Sequence, residues 1–280
     1  MKIGIGLPNH VAGTAGGGIA SWAEHAEHRG FESVTTIDRL CYPSLDSLVA
    51  LSVAAGATLE VALVTNVLLT PLYPTPVLAK QLATLASCAG DRLSIGVGIG
   101  SRPDDYDAVG VAFEKRGRIL DEQIAAMRRE WSGQTSLCPV PVRIPLLFGG
   151  HSEATIRRAT TIGDGWVAGA LRDFSAQSAF ADRVRTGWRS AGRAGDPEVH
   201  ACVNFALGAD EVVRSGRDHL ARYYGFRPDF AKLNVDGMVG SVEDARATVR
   251  AYRDLGFGRV LFHPAVASPD QVDRLADAVL

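Results

Sequence analysis

Eight times along the chain a short apolar run gives way to a longer amphipathic stretch, and that alternation restricts the fold more than any other feature. The runs are KIGIGLP (Lys2 to Pro8), SVTTID (Ser33 to Asp38), VALVTNV (Val61 to Val67), LSIGVGIG (Leu93 to Gly100), PLLFG (Pro145 to Gly149), GWVAG (Gly165 to Gly169), VHACVNFALG (Val199 to Gly208) and RVLFH (Arg259 to His263). Between them lie segments with helical spacing, including Ile19 to Gly30, Ser44 to Ala57, Thr75 to Gly90 and Ala112 to Trp131. Ser44 is placed to cap the second helix, and Pro76 suits the first turn of the third. Further helices are expected over SEATIRRATTIG, Ser175 to Ser190, Asp210 to Tyr224, Val242 to Leu255 and SPDQVDRLADAVL. Strand and helix in strict alternation imply parallel strands joined by right-handed crossovers. Eight such units in 280 residues are the count of a (β/α)8 TIM barrel. A doubly wound sheet is the competing arrangement. No linker or charge run divides the chain, so residues 1–280 read as one domain.

Charge and cysteine content narrow the function classes. The formal net charge of −2 offers no basic stripe for nucleic acid, and positive charge is carried almost wholly by arginine, with lysine only at 2, 80, 115 and 232. Pro8, Asn9 and His10 interrupt the N-terminal apolar run before it reaches signal-peptide length, and no run approaches the ~18 residues of a membrane span. A cytoplasmic protein with no membrane and no nucleic-acid partner is expected. Cys41, Cys88, Cys138 and Cys202 form no CxxC pair and read as free buried thiols.

In a TIM barrel, chemistry sits in the loops after the C-terminal strand ends. Those positions are Asn9-His10, Asp38-Arg39, Thr65-Asn66-Val67, Gly98-Ile99-Gly100-Ser101-Arg102, Gly149-Gly150-His151-Ser152, Asn204 and His263-Pro264. IGVGIG has GxGxG spacing and is followed by Arg102-Pro103-Asp104-Asp105, which does not meet the dinucleotide fingerprint. Its glycines suit close approach of a flat ligand to the backbone. His10, Asp38 and His263 are the residues that could gather a metal, but the HxH pair of barrel metallohydrolases is missing, so no metal is expected. No GxSxG or Cys/His arrangement offers a covalent nucleophile, and His25 and His28 read as surface groups on the first helix. In LLFGGHSEATIRRA, the glycines and the following helix N-terminus can cradle an anion, with Ser152 adding a hydroxyl. The same residues equally make a plain helix cap.

With these residues in view the chain resembles the bacterial luciferase-like superfamily of flavin-dependent monooxygenases and deazaflavin-dependent oxidoreductases. The resemblance is carried by VTNVLLTPLYPTPVLAKQLATLASCAGDRLSIGVGIG (Val64 to Gly100), AFEKRGRILDEQI (Ala112 to Ile124) and PLLFGGHSEATIRRATTIGDGW (Pro145 to Trp166). MVGSVEDARATVRAYRDLGFGRVLF is a further, less specific block. The resemblance implies a luciferase-like barrel that binds FMN or coenzyme F-420 at its mouth. It implies a ring-supporting bulge at Asn66-Val67, often with a cis peptide, a backbone wall at Gly98, Ile99, Gly100 and Ser101, and a phosphate site at Phe148, Gly149, Gly150, His151 and Ser152. Asp38 belongs to the same implied cofactor surround.

The sequence departs from that pattern at Arg39, where many relatives, especially the deazaflavin enzymes, carry His. A guanidinium there could hold an anionic substrate or a reduced flavin. The segment between Trp131 and Ile144 is short, which either opens the mouth or only trims the scaffold. The leading expectation is a monooxygenase that uses reduced FMN, molecular oxygen and a small organic substrate, with the FMN reduced by a separate reductase. His10, Arg39 and His263 are the polar groups expected over the ring, although both histidines could instead satisfy strand-end backbone groups. The alternatives are hydride transfer with coenzyme F-420 and a flavin-binding barrel without turnover. A homodimer through the apolar second and third helices is expected, and Phe226, Phe230 and Met238 (within Tyr224 to Gly240) are candidates for an apolar lid.

Overall fold

In the computed structural model, which describes residues 1–133 and 142–280, eight parallel strands close into a barrel in sequential order. The strands are β1 (Lys2–Gly6), β2 (Ser33–Thr36), β3 (Ala62–Leu68), β4 (Leu93–Val97), β5 (Leu146–Gly149), β6 (Gly165–Val167), β7 (Glu198–Phe205) and β8 (Arg259–Pro264). Closure is made by β1 on β8, with Ile3 opposite Val260 and Ile5 opposite Phe262. The helices are α1 (Gly18–His28), α2 (Ser47–Ala57), α3 (Thr75–Ala89), α4 (Pro103–Ala108), α5 (Arg116–Trp131), α6 (Glu153–Thr161), α7 (Phe174–Ser190), α8 (Asp210–Tyr223), α9 (Pro228–Asp236), α10 (Val242–Asp254) and α11 (Asp270–Val279).

Outward-facing strand residues such as Ile5, Val34, Leu63, Ile95 and Phe148 pack on the helix ring to make the main core. Inside the barrel the residues are smaller and more polar. A Cβ on Gly4 would lie 2.2 Å from Ser33 Oγ, and one on Gly6 would lie 2.7 Å from His263 Nδ1. On these strands the interior is filled by neighbours' side chains, and only glycine leaves them room.

Several local expectations are corrected. The cap of α2 is Asp46, whose carboxylate accepts from Val49 N–H at 2.8 Å, while the Ser44 hydroxyl turns to the Tyr42 carbonyl. Three residues beyond Pro43, at Asp46, ψ is still 137°, so the helix starts later than Ser44 could cap. Cys41 and Cys88 are exposed and only Cys202 is buried; Cys138 lies outside the described residues, as does most of the short segment before Ile144. β2 stops at Thr36 and β4 at Val97, so Asp38 and Gly98 belong to loops. Helices α4 and α9 were not anticipated.

Val49, Val53 and Val77 stand exposed on α2 and α3, beside an external recess of about 760 Å³ between those helices. Among the described residues, no helix is long and apolar enough to cross a membrane.

Candidate active site at the barrel mouth

The mouth is divided into an open half and a closed half. On the side of β3, β4 and β5, Val67, Ile99, Gly100 and Gly149 are partly exposed, and Ser101, Gly150, His151 and Ser152 are exposed. On the side of β8, β1 and β2, His263 and His10 are buried at 0% and 1% exposure and Asp38 at 6%.

The open half is organised round Val67. The Asn66-Val67 peptide is cis, and the pairing of β3 with β4 shifts register between Thr65 and Leu68. Val67 projects between the two neighbouring strands. A Cβ on Gly98 would lie 2.6 Å from Val67 Cγ2, and one on Gly149 would lie 2.8 Å from Val67 Cγ1. These glycines seat the Val67 side chain, so the wall expected at Gly98 first of all accommodates this neighbour. Gly98 N–H also donates to the Leu68 carbonyl at 2.9 Å, closing the backbone behind the bulge.

Next to this platform, the turn from Gly149 to Ser152 enters α6. Gly150 adopts φ +118°, which excludes ordinary side chains. Its carbonyl is held inward by Trp166 Nε1–H at 2.8 Å. A trans peptide sets C=O and N–H in opposite directions, so the His151 N–H points outward. Ser152 caps α6, its Oγ accepting from Thr155 N–H at 3.3 Å, and the first amides of α6 have no partner within the helix. The turn is therefore a helix cap whose geometry also leaves N–H groups pointing outward. Phe148, buried at 1%, anchors the strand beneath it. His151 sets its ring edge-on to Trp166 and Phe180, and burial lowers its pKa. Ser152→Ala is expected to cost about 1 kcal/mol through the lost cap, read as a small drop in thermal midpoint.

The closed half is sealed by α8. Its N-terminal part rests on the ends of β7 and β8, where a Cβ on Gly216 would lie 2.7 Å from Ala206 Cβ and 3.2 Å from Ala265 Cβ. Its last turn carries His219 and Tyr223 across to β1 and β2. The ring centroids of His219, Tyr223 and His263 lie 5.5, 5.8 and 5.8 Å from that of His10. Both ring nitrogens of His10, both of His219 and Nδ1 of His263 are buried without a hydrogen-bond partner. His263 Nε2 is 2.9 Å from Asn66 Nδ2, so the imidazole braces the side chain preceding Val67. Burial lowers the pKa of all three imidazoles, that of His219 to about 4 and that of His263 to about 3, so all are neutral at pH 7.

Two guanidinium groups close the seal. Arg39 Nη1 and Arg102 Nη2 donate to the Tyr223 carbonyl at 2.9 and 3.1 Å, placing cations at the C-terminus of α8 where the helix dipole favours them. Arg39 also lies 3.6 Å from Asp104 and stacks on the Tyr42 ring, while Arg102 lies over Tyr223 and Phe226. The Asp38 carboxylate accepts from Leu69 N–H at 2.9 Å and from the Tyr73 hydroxyl at 3.0 Å. Burial raises the Asp38 pKa to about 7. Sequence reasoning missed His219 and Tyr223, and it named Arg102 only by its place after β4. The only signal for the first two was their position on a helix following β7, where they read as ordinary surface or core residues.

Residues 1–259 match the luciferase-like monooxygenase family. An uncharacterized protein of Mycobacterium tuberculosis is 29% identical over 228 residues, covering 69% of this chain and 78% of its own length. The monooxygenase RslO1 from Streptomyces bottropensis superposes with a TM-score of 0.82 at 22% identity, covering 99% of this chain and 96% of that one. An F-420-dependent secondary alcohol dehydrogenase superposes with a TM-score of 0.83 at 18% identity, covering 100% and 98%.

Proposed function

Because the chain belongs to the luciferase-like monooxygenase family, we propose that it is an oxidoreductase that uses reduced FMN and molecular oxygen to oxygenate a small organic substrate. The supporting observation is the pairing of the turn at Gly149–Ser152 with the Val67 platform, beside a buried compartment lined by the neutral imidazoles of His10, His219 and His263. The residues present fit a phosphate-bearing isoalloxazine. Outward amides at His151 and the start of α6 favour an anion, and Val67, seated by Gly98 and Gly149, offers an apolar face to a flat ring.

Bound reduced FMN would supply two electrons, with one oxygen atom passing to the substrate and the other leaving as water. The protein's part is to position and to exclude water. His10 and His263 are neutral at pH 7, and Asp38 accepts from Leu69 N–H and the Tyr73 hydroxyl. Arg39 holds the Tyr223 carbonyl and so keeps the closed half covered.

Coenzyme F-420 is the second reading, supported by the likeness to the F-420-dependent dehydrogenase and by the same turn. Anaerobic titration of the purified chain with reduced FMN, oxidised FMN and F-420 separates the two. Tight reduced-FMN binding, followed by substrate-dependent incorporation of labelled oxygen, is expected. Tight F-420 binding with negligible FMN binding would overturn the proposal. Flavin binding without oxygen incorporation would make the protein a flavin-binding barrel. A homodimer through α2 and α3, and a separate reductase as the source of reduced FMN, are part of the proposal.

A further inference from the structure

The mouth contains two imidazoles that the fold itself does not use. His10 and His219 are 1% and 3% exposed, their ring centroids are 5.5 Å apart, and none of their four nitrogens has a partner among the described residues. Leaving buried donors and acceptors unpaired is costly, and native folds keep few such groups. Neighbouring polar residues at the mouth each have at least one partner: His263 braces Asn66, Asp38 accepts from Leu69 and Tyr73, and Arg39 and Arg102 hold the Tyr223 carbonyl. The walls beside the pair are aromatic. Tyr42 lies 6.3 Å from His219 and 5.0 Å from Tyr223, and Tyr223 lies 5.8 Å from each imidazole.

We propose that His10 and His219 jointly bind a phenolic hydroxyl of the substrate. A neutral imidazole offers one N–H donor and one lone pair. A hydroxyl, which donates and accepts at once, complements such a pair; a carboxylate can only accept and an ammonium can only donate. The Tyr42 and Tyr223 ring edges suit an aromatic ring attached to that hydroxyl. An anionic substrate is disfavoured, because Asp104 already lies 3.6 Å from the Arg39 guanidinium that would otherwise receive it. His219 thereby becomes a specificity residue delivered by α8. The pair is sealed in the structure, so entry requires the Tyr223 end of α8 to move from Arg39 and Arg102. The inference rests on the mouth being the reactive site, as proposed above, but its test needs no cofactor.

Phenol, anisole and sodium benzoate are titrated into the full-length chain while imidazole nitrogens are followed by long-range proton–nitrogen NMR. His10→Gln and His219→Gln identify the two signals. Phenol should shift both signals and bind about tenfold or more tightly than anisole, which lacks the donated proton. His219→Phe should abolish that preference, and His219→Gln, which keeps a donor and an acceptor, should retain part of it. Because the His219 nitrogens bond to nothing in the fold, the His219→Phe protein should melt no lower than wild type, which checks that it is folded. Equal affinity for phenol and anisole overturns the proposal, as does tighter benzoate binding or a preference that survives His219→Phe. An absence of any shift also overturns it and leaves internal water as the partner of the pair. Each of these results is independent of whether the chain binds FMN.

Discussion

Lowering the pH from 7 to 4 should destabilise the protein by several kcal/mol, and Asp38→Asn should make that loss steeper. His10, His219 and His263 are buried and neutral, with pKa values depressed, to about 4 for His219 and about 3 for His263. In the unfolded chain they titrate near 6.5, as ordinary histidines do. Below that pH the unfolded chain takes up protons that the folded chain refuses. The stability these groups confer is complete above about 6.5 and drains as pH falls toward the folded values, at about 1.4 kcal/mol per unit for each group. Asp38 works in the opposite direction. Its folded pKa is raised to about 7, so between about 4 and 7 it holds a proton that the unfolded chain has released. Its contribution is full below about 4 and is lost as pH rises through 7. An amide at 38 still offers an oxygen to Leu69 N–H but no longer titrates, so the histidine loss goes unopposed. Urea unfolding at pH 7.0, 5.5 and 4.5 measures both slopes. A wild type whose stability is flat over that range, or an Asn variant with an unchanged slope, would contradict the assignment of burial as the controlling effect.

Gly149→Val should lower affinity for reduced FMN about 100-fold, equivalent to about 2.7 kcal/mol, while the barrel stays folded. A Cβ at this position already falls 2.8 Å from Val67 Cγ1, and two further methyls must push Val67 off its seat or move the end of β5. Either movement displaces the platform relative to the turn at Gly150–Ser152. Gly165→Ala supplies the contrast. Its Cβ would sit 2.0 Å from the Glu198 carbonyl oxygen, which is backbone and cannot rotate aside. That change should cost about 3 kcal/mol through overpacking and lower the thermal midpoint by about 6–12 °C, with no selective effect on cofactor. Melting curves and anaerobic FMN titrations on the two variants separate a site effect from a fold effect. Wild-type FMN affinity in Gly149→Val would mean that the ring does not rest on Val67.

The barrel could be read from the chain because its signal is repeated eight times and each repeat is local. A strand such as RVLFH and a helix such as SEATIRRATTIG declare themselves within a dozen residues. The Ser152 cap at the start of α6 was legible for the same reason, since glycine, N-cap serine and helix lie in one short stretch. What the chain did not disclose depends on which distant groups meet. His219 sits in the C-terminal half of an ordinary amphipathic helix, and its meeting with His10 depends on how that helix packs, with Gly216 close to Ala206 and Ala265. Arg39 stood out as an unusual residue after β2, but its partner, the Tyr223 carbonyl, is 184 residues away and carries no sequence signature. The Ser44 expectation failed because capping depends on where the chain turns helical, and the extended backbone at Asp46 set that point two residues later.

The two arginines on the Tyr223 carbonyl give the mouth a directional traffic pattern. A molecule arriving over β5 meets an exposed turn and can dock and leave without touching α8. A molecule bound for His10 must first undo two charge-assisted hydrogen bonds in a buried setting. If cofactor and substrate take the places proposed above, their entry is gated by different bonds, and rapid-mixing experiments should resolve them as separate phases. Arg102→Gln should quicken the second phase alone.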